Sequence, residues 1–198
     1  ACKDNGTYKN GGVFSKIGFP CGTRLEVKAK LTKLVRGGFP AIWQMPMGAP
    51  EWPRGGEIDL MEWVQGTPLQ IYQTVHTYYI NGANGSAGVT NKNPDKNFDV
   101  TKDHVYAVER TEKELIFYVD GKETWRYGNQ YLDEGKLQYP FCEYPFNIIL
   151  NFSLGGELNG RMTWPGEICD EDLPGEMWVD WVRVVSLNNE NQSDTGDK

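Results

Sequence analysis

The sequence predicts an all-β fold in which two sheets pack face to face as a β-sandwich. Short runs alternate apolar and polar residues at the strand period of two. Clusters rich in Gly, Pro, Asn and Asp separate these runs, as turns do. No segment keeps a helical periodicity, and 198 residues suffice for one such domain.

Three segments show the strand pattern most clearly. Residues 24–31 alternate charged and apolar side chains, which predicts one solvated and one buried face. Residues 115–119 lead into Asp120-Gly121, which predicts a hairpin with a type I′ turn. Residues 146–154 place five apolar side chains on one face and Asn147, Ile149, Asn151 and Ser153 on the other.

Three other segments lack strand character. Residues 81–97 and 155–166 are rich in Gly and Asn and too long for hairpin turns, so we expect them to be loops beside a cleft. Residues 188–198 contain no apolar side chain and predict a disordered tail or linker. The folded domain is therefore expected to span residues 1–187.

The composition limits the classes of function. A net charge of -7 argues against binding nucleic acid or an anionic membrane surface. No apolar run reaches membrane-spanning length. The seven Trp, ten Tyr and eight Phe fit a core, and they also fit a sugar-binding groove, which uses flat apolar rings with polar groups.

The four cysteines are Cys2, Cys21, Cys142 and Cys169, and no two form a C-x-x-C pair. Their spacing argues against a zinc site. Two disulfides, in any of three connectivities, would suit a secreted protein. Buried free thiols are the alternative that we slightly favour from the sequence.

The most informative segment runs from Gly56 to Trp63, because it holds three carboxylates among apolar residues. Buried charges are rare unless they are paired or used. Strand alternation places Glu57 and Asp59 on one face, whereas Glu62 has the opposite parity. A β-bulge at Leu60-Met61 would return Glu62 to the face of the other two acids.

This arrangement suggests a reaction. With the bulge, Glu57 and Glu62 are four regular steps apart, roughly 13 Å at Cα. Two long side chains can then lean together to the gap of about 5–5.5 Å that retaining glycoside hydrolysis requires. The alternatives are three surface acids on an edge strand, or a metal site, and the apolar neighbours argue against both.

Residues 56–62 resemble the active-site signature of glycoside hydrolase family 16, in the longer Glu-x-Asp-x-x-Glu form of its laminarinase-like and agarase-like branches. Other segments agree with the family in order along residues 11–186. They are Phe39–Trp43, Gln73–His76, His104–Glu109, Tyr118–Gly121, Leu150–Gly156 and Val179–Val184.

The resemblance implies a concanavalin A-like jelly roll with a concave substrate-binding sheet. It implies that Glu57 is the nucleophile, that Glu62 is the acid/base and that Asp59 assists between them. The family usually has further strands before the segment aligned to Gly11, so we expect this chain to lack its first strands. A lipidated Cys2 is an alternative explanation of the first residues.

The resemblance also suggests residues that bind substrate. His76 and Asn151 are expected to face the cleft, although a hydrogen-bonded sheet histidine and a solvated asparagine would explain them too. The best candidates for stacking on sugars are Trp43, Trp52 and Trp164. Arg54 could contact a hydroxyl or an acidic group.

The remaining tryptophans are expected to be structural. Trp63 should lie in the core, on the face opposite Glu62. Trp178 and Trp181 should lie on opposite faces of the last strand, with one of them in the core.

Two further positions can be compared with the family: one departs from its usual residue and one matches it. Arg110 stands where the family usually has Trp, which would alter packing or one subsite. Asp180 matches an Asp that holds a structural calcium in many members, but the partner ligands fall in the first strands, which we expect this chain to lack. We therefore expect no required cofactor and no catalytic metal, with calcium at Asp180 doubtful.

We interpret the sequence as a secreted, periplasmic or cell-surface endo-acting retaining β-glycosidase that works as a monomer on a polysaccharide or oligosaccharide. β-1,3-Glucan of the laminarin type is ranked first, by frequency in this branch. An endo-β-galactosidase acting on algal galactans or host O-glycans is nearly equal. A lectin-like carbohydrate-binding module is the alternative of another class, and the pair Glu57 and Glu62 argues against it.

Overall fold

The computed structural model describes residues 1–80, 89–92, 98–132 and 137–187. These residues form strands joined by turns, with one short 3-10 segment at Asp170–Asp172. The strands are β1 Cys2–Asp4, β2 Thr7–Lys9, β3 Gly11–Phe14, β4 Thr23–Lys33, β5 Gly38–Pro46, β6 Glu57–Glu62, β7 Tyr72–His76, β8 Val89–Lys92, β9 His104–Arg110, β10 Glu114–Val119, β11 Lys122–Gly128, β12 Phe146–Leu154, β13 Glu157–Leu158, β14 Arg161–Met162 and β15 Glu176–Ser186.

Two antiparallel sheets pack together as a jelly-roll sandwich, as predicted. One sheet has five strands in the order β11-β10-β9-β4-β15. The other has six strands in the order β3-β12-β5-β6-β7-β8. The acid-bearing strand β6 lies inside the six-stranded sheet, so both of its edges are hydrogen bonded.

The core lies between the sheets and is built by strand alternation. Val27 and Phe117 of the five-stranded sheet are fully buried, as are Ile42 and Ile58 of the six-stranded sheet. Burying a side chain of this size contributes about 1.5–3 kcal/mol. The core therefore holds β6 rigidly from its inner face and leaves the outer face for chemistry.

Three strand predictions are confirmed. In β4 the alternate residues Leu25 to Leu31 are buried, although Glu26 on the other face is also covered by its ion pairs with Arg24 and Arg183. Asp120 and Gly121 both have positive φ, 51° and 75°, as a type I′ turn requires. In β12 the buried residues are the alternating Phe146, Ile148 and Phe152.

The loop predictions need correction. Residues 155–166 contain the short hairpin of β13 and β14. Within residues 81–97, residues 89–92 form β8 and pair with β7, while the rest of that segment lies outside the described residues. The predicted tail, residues 188–198, also lies outside them. Polar strands such as β8 lack the apolar alternation that would have revealed them.

The slight preference for free thiols was wrong for two of the four cysteines. Cys21 and Cys142 form a disulfide across 121 residues, with Cα atoms 5.0 Å apart. Phe19 and Phe146 exchange two backbone hydrogen bonds and bring the segments together. Cys2 and Cys169 are free thiols. Proximity created by sheet pairing is not visible in cysteine spacing.

The prediction for the last strand was also wrong. A bulge between Val179 and Trp181 places Trp178 opposite Lys30 and Trp181 opposite Lys28, so the two indoles share the outer face. Trp178 is 57% exposed and neither indole is in the core. Trp63, by contrast, is fully buried as predicted.

Arg110 has a packing role. Its side chain is 1% exposed and donates hydrogen bonds to the carbonyls of Phe19, Pro20, Phe141 and Tyr144. Burial lowers the pKa of Arg110 to about 10, so the guanidinium is still charged at neutral pH. The cation thus joins the two segments that carry the disulfide.

In the described residues, no helix has the length and apolar character to cross a membrane.

Candidate active site

Strand β6 presents its three acids on the outer face of the six-stranded sheet, and the predicted bulge produces this arrangement. Asp59 pairs with Trp43 of β5, and Glu62 pairs with Ala41. Only Ile42, opposite Met61, separates these two partners, so the register skips Leu60. We call this outer face the cleft face; it carries Trp43, Glu57, Asp59, Glu62, Thr74, His76 and Asn151.

Leu60 and Met61 are the reason for the bulge. Both are at most 1% exposed and both turn toward the core. Two consecutive inward residues are incompatible with regular alternation, so the strand inserts an extra position. Hydrophobic burial on one face therefore determines where Glu62 emerges on the other.

Glu57 lies at the start of β6 and accepts two hydrogen bonds. The Trp52 indole N–H donates to its Oε2 at 2.7 Å, and Asp59 shares a second hydrogen bond with it. Burial raises the pKa of Glu57, and both hydrogen bonds oppose that rise. They favour the ionised form, which is the form a nucleophile needs.

Asp59 is the most deeply buried of the three acids, with 2% exposure. Burial raises its pKa well above the ordinary value, and the charges of Glu62 and Glu57 add to the rise. The proton in the Glu57–Asp59 contact therefore lies on Asp59, which donates to Glu57. One oxygen of Asp59, Oδ2, is buried without a hydrogen-bond partner among the described residues.

The pKa of Glu62 is also raised. Burial raises its pKa to about 7, the charge of Glu57 contributes to the rise, and a hydrogen bond from Thr74 opposes it. A carboxyl group with this pKa is largely protonated below neutral pH and can donate a proton. A raised pKa is what a general acid needs in order to hold its proton near neutral pH.

Thr74 belongs to the site but was not among the predicted residues. Its hydroxyl donates to Glu62 Oε2 at 2.8 Å, and the residue is 2% exposed. It pairs directly with Asp59 across the sheet. Its parity with His76 was the available signal, but a threonine in a strand is so common that parity alone does not mark it.

His76 faces the cleft, as predicted. Its Nε2 lies 3.6 Å from Asp59 Oδ2 and 3.9 Å from Glu57 Oε1, both beyond hydrogen-bond distance. Burial lowers the pKa of His76, which favours the neutral ring at neutral pH. A neutral imidazole beside the acids can hydrogen bond to a ligand without competing for the acids' charge.

Two of the three predicted sugar-stacking tryptophans lie at opposite ends of β6. Trp52 is at the Glu57 end, 40% exposed, with its ring 5.8 Å from that of His76. Trp164 is at the Glu62 end, 53% exposed, and its ring contacts those of Phe39 and Tyr72 at 5.4 and 4.9 Å. Exposed indoles supported in this way can act as stacking platforms.

The third tryptophan lies within the sheet. Trp43 is in the middle of β5 and donates its indole N–H to Asn151 Oδ1 at 2.6 Å. Asn151 in turn donates to Ser153 at 2.9 Å. Both predicted residues are thus on the cleft face, but they are hydrogen bonded to each other.

Arg54 lies at the Glu57 end of the cleft, in the turn before β6. Its guanidinium stacks on the ring of Tyr78 at 4.4 Å from the ring centroid. Tyr78 follows β7 and is 44% exposed. The cation is therefore held at the rim rather than among the acids.

Metal ligation can be considered at two places. Ligand atoms of Glu57, Asp59 and His76 lie within 4.8 Å of one another. Because Asp59 donates a hydrogen bond to Glu57 there, we assign the two acids to proton chemistry. Asp180 forms an ion pair with Lys28 at 2.8 Å on the outer face of the other sheet. That the protein requires no cofactor stays a prediction.

Comparison with known proteins identifies the family. Residues 5–183 match the family model of glycosyl hydrolases family 16. A keratan-sulfate endo-1,4-beta-galactosidase from Sphingobacterium multivorum is 36% identical over 185 residues, which cover 91% of this chain and 40% of that protein. A beta-glucanase from Rhodothermus marinus is 35% identical over 169 residues, which cover 81% of this chain and 56% of that protein.

Solved structures agree with these relatives. One was reported among endo-acting O-glycanases that prominent members of the human gut microbiota express to initiate mucin breakdown. It is 90% identical, with a TM-score of 0.91, over 94% of this chain and 78% of that one. The laminarinase from Rhodothermus marinus is 32% identical, with a TM-score of 0.74, over 87% of this chain and 69% of that one.

Proposed function

The chain belongs to glycosyl hydrolases family 16, and we propose that it is an endo-acting, retaining β-glycoside hydrolase. The observation that carries the proposal is the set of three acids on the bulged strand β6. Burial raises the pKa of Glu62 to about 7, which suits an acid. Hydrogen bonds from Trp52 and Asp59 oppose the rise that burial causes in the pKa of Glu57, which supports its role as the nucleophile.

The proposed reaction has two displacements. The Glu57 carboxylate attacks the anomeric carbon while Glu62 gives its proton to the glycosidic oxygen, and the leaving sugar departs as an alcohol. A covalent glycosyl-enzyme results. Glu62 then takes a proton from water, the water oxygen attacks the same carbon, and Glu57 leaves as a carboxylate. Asp59 assists by holding a hydrogen bond to Glu57.

The remaining predicted residues bind the glycan. We propose that Trp52 and Trp164 stack on sugars at the two ends of β6, and that Trp43 with Asn151 lines the floor between them. His76 contacts the sugar beside Glu57. Arg54 contacts a substituent at the rim.

For the substrate, we place internal β-galactosidic bonds of O-glycans first. The 90% identical O-glycanase structure and the keratan-sulfate endo-β-galactosidase relative support this order. β-1,3-Glucan is the second candidate, which the beta-glucanase and laminarinase relatives support. The chain spans 40% and 56% of the length of the two curated relatives described above.

We also propose that the protein acts outside the cytoplasm, as a monomer. The disulfide between Cys21 and Cys142 supports an oxidising compartment such as the cell exterior or the periplasm.

A substrate panel with one active-site variant tests the function. Mucin O-glycans, keratan sulfate, agarose-type galactan, mixed-linkage glucan and laminarin are each incubated with the protein, and released oligosaccharides are identified by mass spectrometry. We expect release of internal fragments from the galactosides, and loss of several orders of magnitude in turnover for Glu57→Gln.

The same panel separates the alternatives. Release from laminarin alone would favour the glucanase. Binding without release, equal in the wild type and in Glu57→Gln, would indicate a lectin-like module. Full activity in a folded Glu57→Gln sample would overturn the assignment of the nucleophile.

A further inference from the structure

We propose that Thr74 is a positioning residue that selects which oxygen of Glu62 carries the transferable proton. This inference rests on the proposed function, because it concerns the acid/base step. Its basis is the hydrogen bond from the Thr74 hydroxyl to Glu62 Oε2 at 2.8 Å.

The geometry gives the two oxygens of Glu62 different roles. Oε2 accepts the hydrogen of Thr74, so a proton on the carboxyl group is favoured on Oε1. Glu62 then presents Oε1–H to the glycosidic oxygen. After the proton has left, the same hydrogen bond stabilises the carboxylate, which must next accept a proton from water.

The surroundings make Thr74 a rigid support. Thr74 lies in the middle of β7, pairs with Asp59 and is 2% exposed. A β-branched side chain in a strand has few accessible χ1 rotamers, so the hydroxyl direction is set by the backbone. The bulge at Leu60 places Glu62 opposite Tyr72, so Thr74 reaches it diagonally across the sheet.

The position of the proton should affect substrates differently. In a natural glycan the leaving group is a sugar alcohol, which departs poorly and needs the proton of Glu62 in the first step. A dinitrophenyl glycoside leaves readily and needs little protonation. A defect in positioning the proton therefore slows the first step for the glycan and spares it for the aryl glycoside.

The test uses Thr74→Val, which keeps the shape of the side chain and removes the hydroxyl. We expect turnover of the cleaved glycan to fall about 10- to 100-fold with little change in KM, as expected for loss of a hydrogen bond to a charged group. The rate of the first step with the dinitrophenyl glycoside is measured from the burst of dinitrophenol. This rate should change by only a few-fold. Thr74→Ser should restore most of the glycan activity.

Thr124→Val is the matched control. Thr124 lies in β11 of the other sheet and also donates a hydroxyl hydrogen bond, to Gln73 Oε1 at 2.6 Å. It should behave like the wild type on both substrates. Thr74→Val with wild-type activity on glycan, an equal defect in Thr74→Val and Thr74→Ser, or equal slowing of both substrates would each overturn the inference.

Glu62→Ala separates this inference from the proposed function. If Glu62→Ala cleaves glycan like the wild type, the assignment of the acid fails. If Glu62→Ala is inactive on glycan but Thr74→Val is normal, only the role of Thr74 fails.

An infrared measurement does not depend on activity. The carboxyl C=O band of protonated Glu62, isolated by subtracting the spectrum of Glu62→Gln at acidic pH, should move to higher wavenumber in Thr74→Val. This shift is expected because the carbonyl oxygen loses a hydrogen-bond donor. An unmoved band would contradict the proposed contact.

Discussion

Glu62 shows how one side chain is poised by opposing environments. Burial disfavours its charge, whereas the Thr74 hydroxyl favours it, and the result is a pKa of about 7. The neighbouring Glu57 is kept closer to ionisation by hydrogen bonds from Trp52 and Asp59. Burial thus raises the pKa of both glutamates, and different hydrogen-bond donors oppose the rise at each of them.

The raised pKa of Glu62 predicts how stability depends on pH. The folded state holds this proton more tightly than the unfolded chain, whose ordinary pKa is 4.5. The stabilisation is fully present below that value and is lost as the pH rises through about 7. Glu62→Gln removes this pH dependence, whereas the wild type loses stability as the pH rises. The free energy of unfolding of Glu62→Gln minus that of the wild type should therefore increase by roughly 1–3 kcal/mol from pH 5 to pH 8.

Denaturant unfolding of both proteins at several pH values measures this difference. A difference that is constant with pH would show that Glu62 titrates normally in the folded state. The activity of the wild type should also decline above neutral pH, because the acid is then ionised.

The stereochemistry of the product tests the partnership of the two glutamates. If Glu57 forms a covalent intermediate, each of the two displacements inverts the anomeric carbon, and the product keeps the β configuration. NMR of the new reducing end, recorded before mutarotation, should show the β anomer first. An initial α anomer would mean that a water molecule, rather than Glu57, attacks the substrate.

At the scale of elements, the turn that leads into β6 positions Glu57, just as the bulge within β6 positions Glu62. Gly56 precedes Glu57 and has φ +84°, a backbone conformation that residues with a side chain rarely adopt. A Cβ atom at this position would lie 2.8 Å from Phe141 Cε1 and 2.9 Å from Pro140 Cγ. The turn before β12, which Arg110 and the disulfide hold in place, therefore packs directly against the start of the acid-bearing strand.

Gly56→Ala should consequently shift Glu57 as well as destabilise the fold. We expect a loss of about 1–3 kcal/mol in the free energy of unfolding, and a larger loss of turnover than the loss of folded protein explains. Gly48→Ala is the control, since Gly48 has φ +74° but no atom within 4 Å of the added Cβ. Activity is measured on equal amounts of folded protein, and similar turnover in both variants would show that packing against Phe141 does not position Glu57.

At the scale of the whole molecule, the disulfide joins the two sheets near the start of β4 and the start of β12. It closes a loop between residues 121 positions apart. Constraining a loop of this length in the unfolded chain stabilises a fold by about 2–4 kcal/mol. The sandwich therefore has a covalent link close to the buried Arg110 and its four carbonyl partners.

The double variant Cys21→Ser, Cys142→Ser should lower the free energy of unfolding by about 2–4 kcal/mol in denaturant. A reducing agent should destabilise the wild type to a similar extent and leave the double variant unchanged. Cys2→Ser, which removes a free thiol, is the control and should unfold like the wild type. A stable wild type under full reduction would contradict this role of the disulfide.

Much of this protein is visible in its sequence because alternation in strands is a local property. The pattern of residues 24–31, the Asp120-Gly121 turn and the faces of residues 146–154 each depend on near neighbours, and each was predicted correctly. The parity of Glu57, Asp59 and Glu62 required a bulge at Leu60-Met61, and the register contains it. The family resemblance came from the acidic motif of residues 56–62 and from the order of the other matching segments along the chain.

Tertiary structure decided the features that depend on partners far away in the chain. The disulfide needs Phe19 to pair with Phe146. The shared face of Trp178 and Trp181 needs a bulge in the pairing of β15 with β4, and the contact of Thr74 with Glu62 crosses between strands. The raised pKa values of the three acids also arise only after packing, because burial removes water from a carboxyl group and disfavours its charged form. Local spacing specifies which face a side chain takes, whereas pairing and burial specify what it meets there.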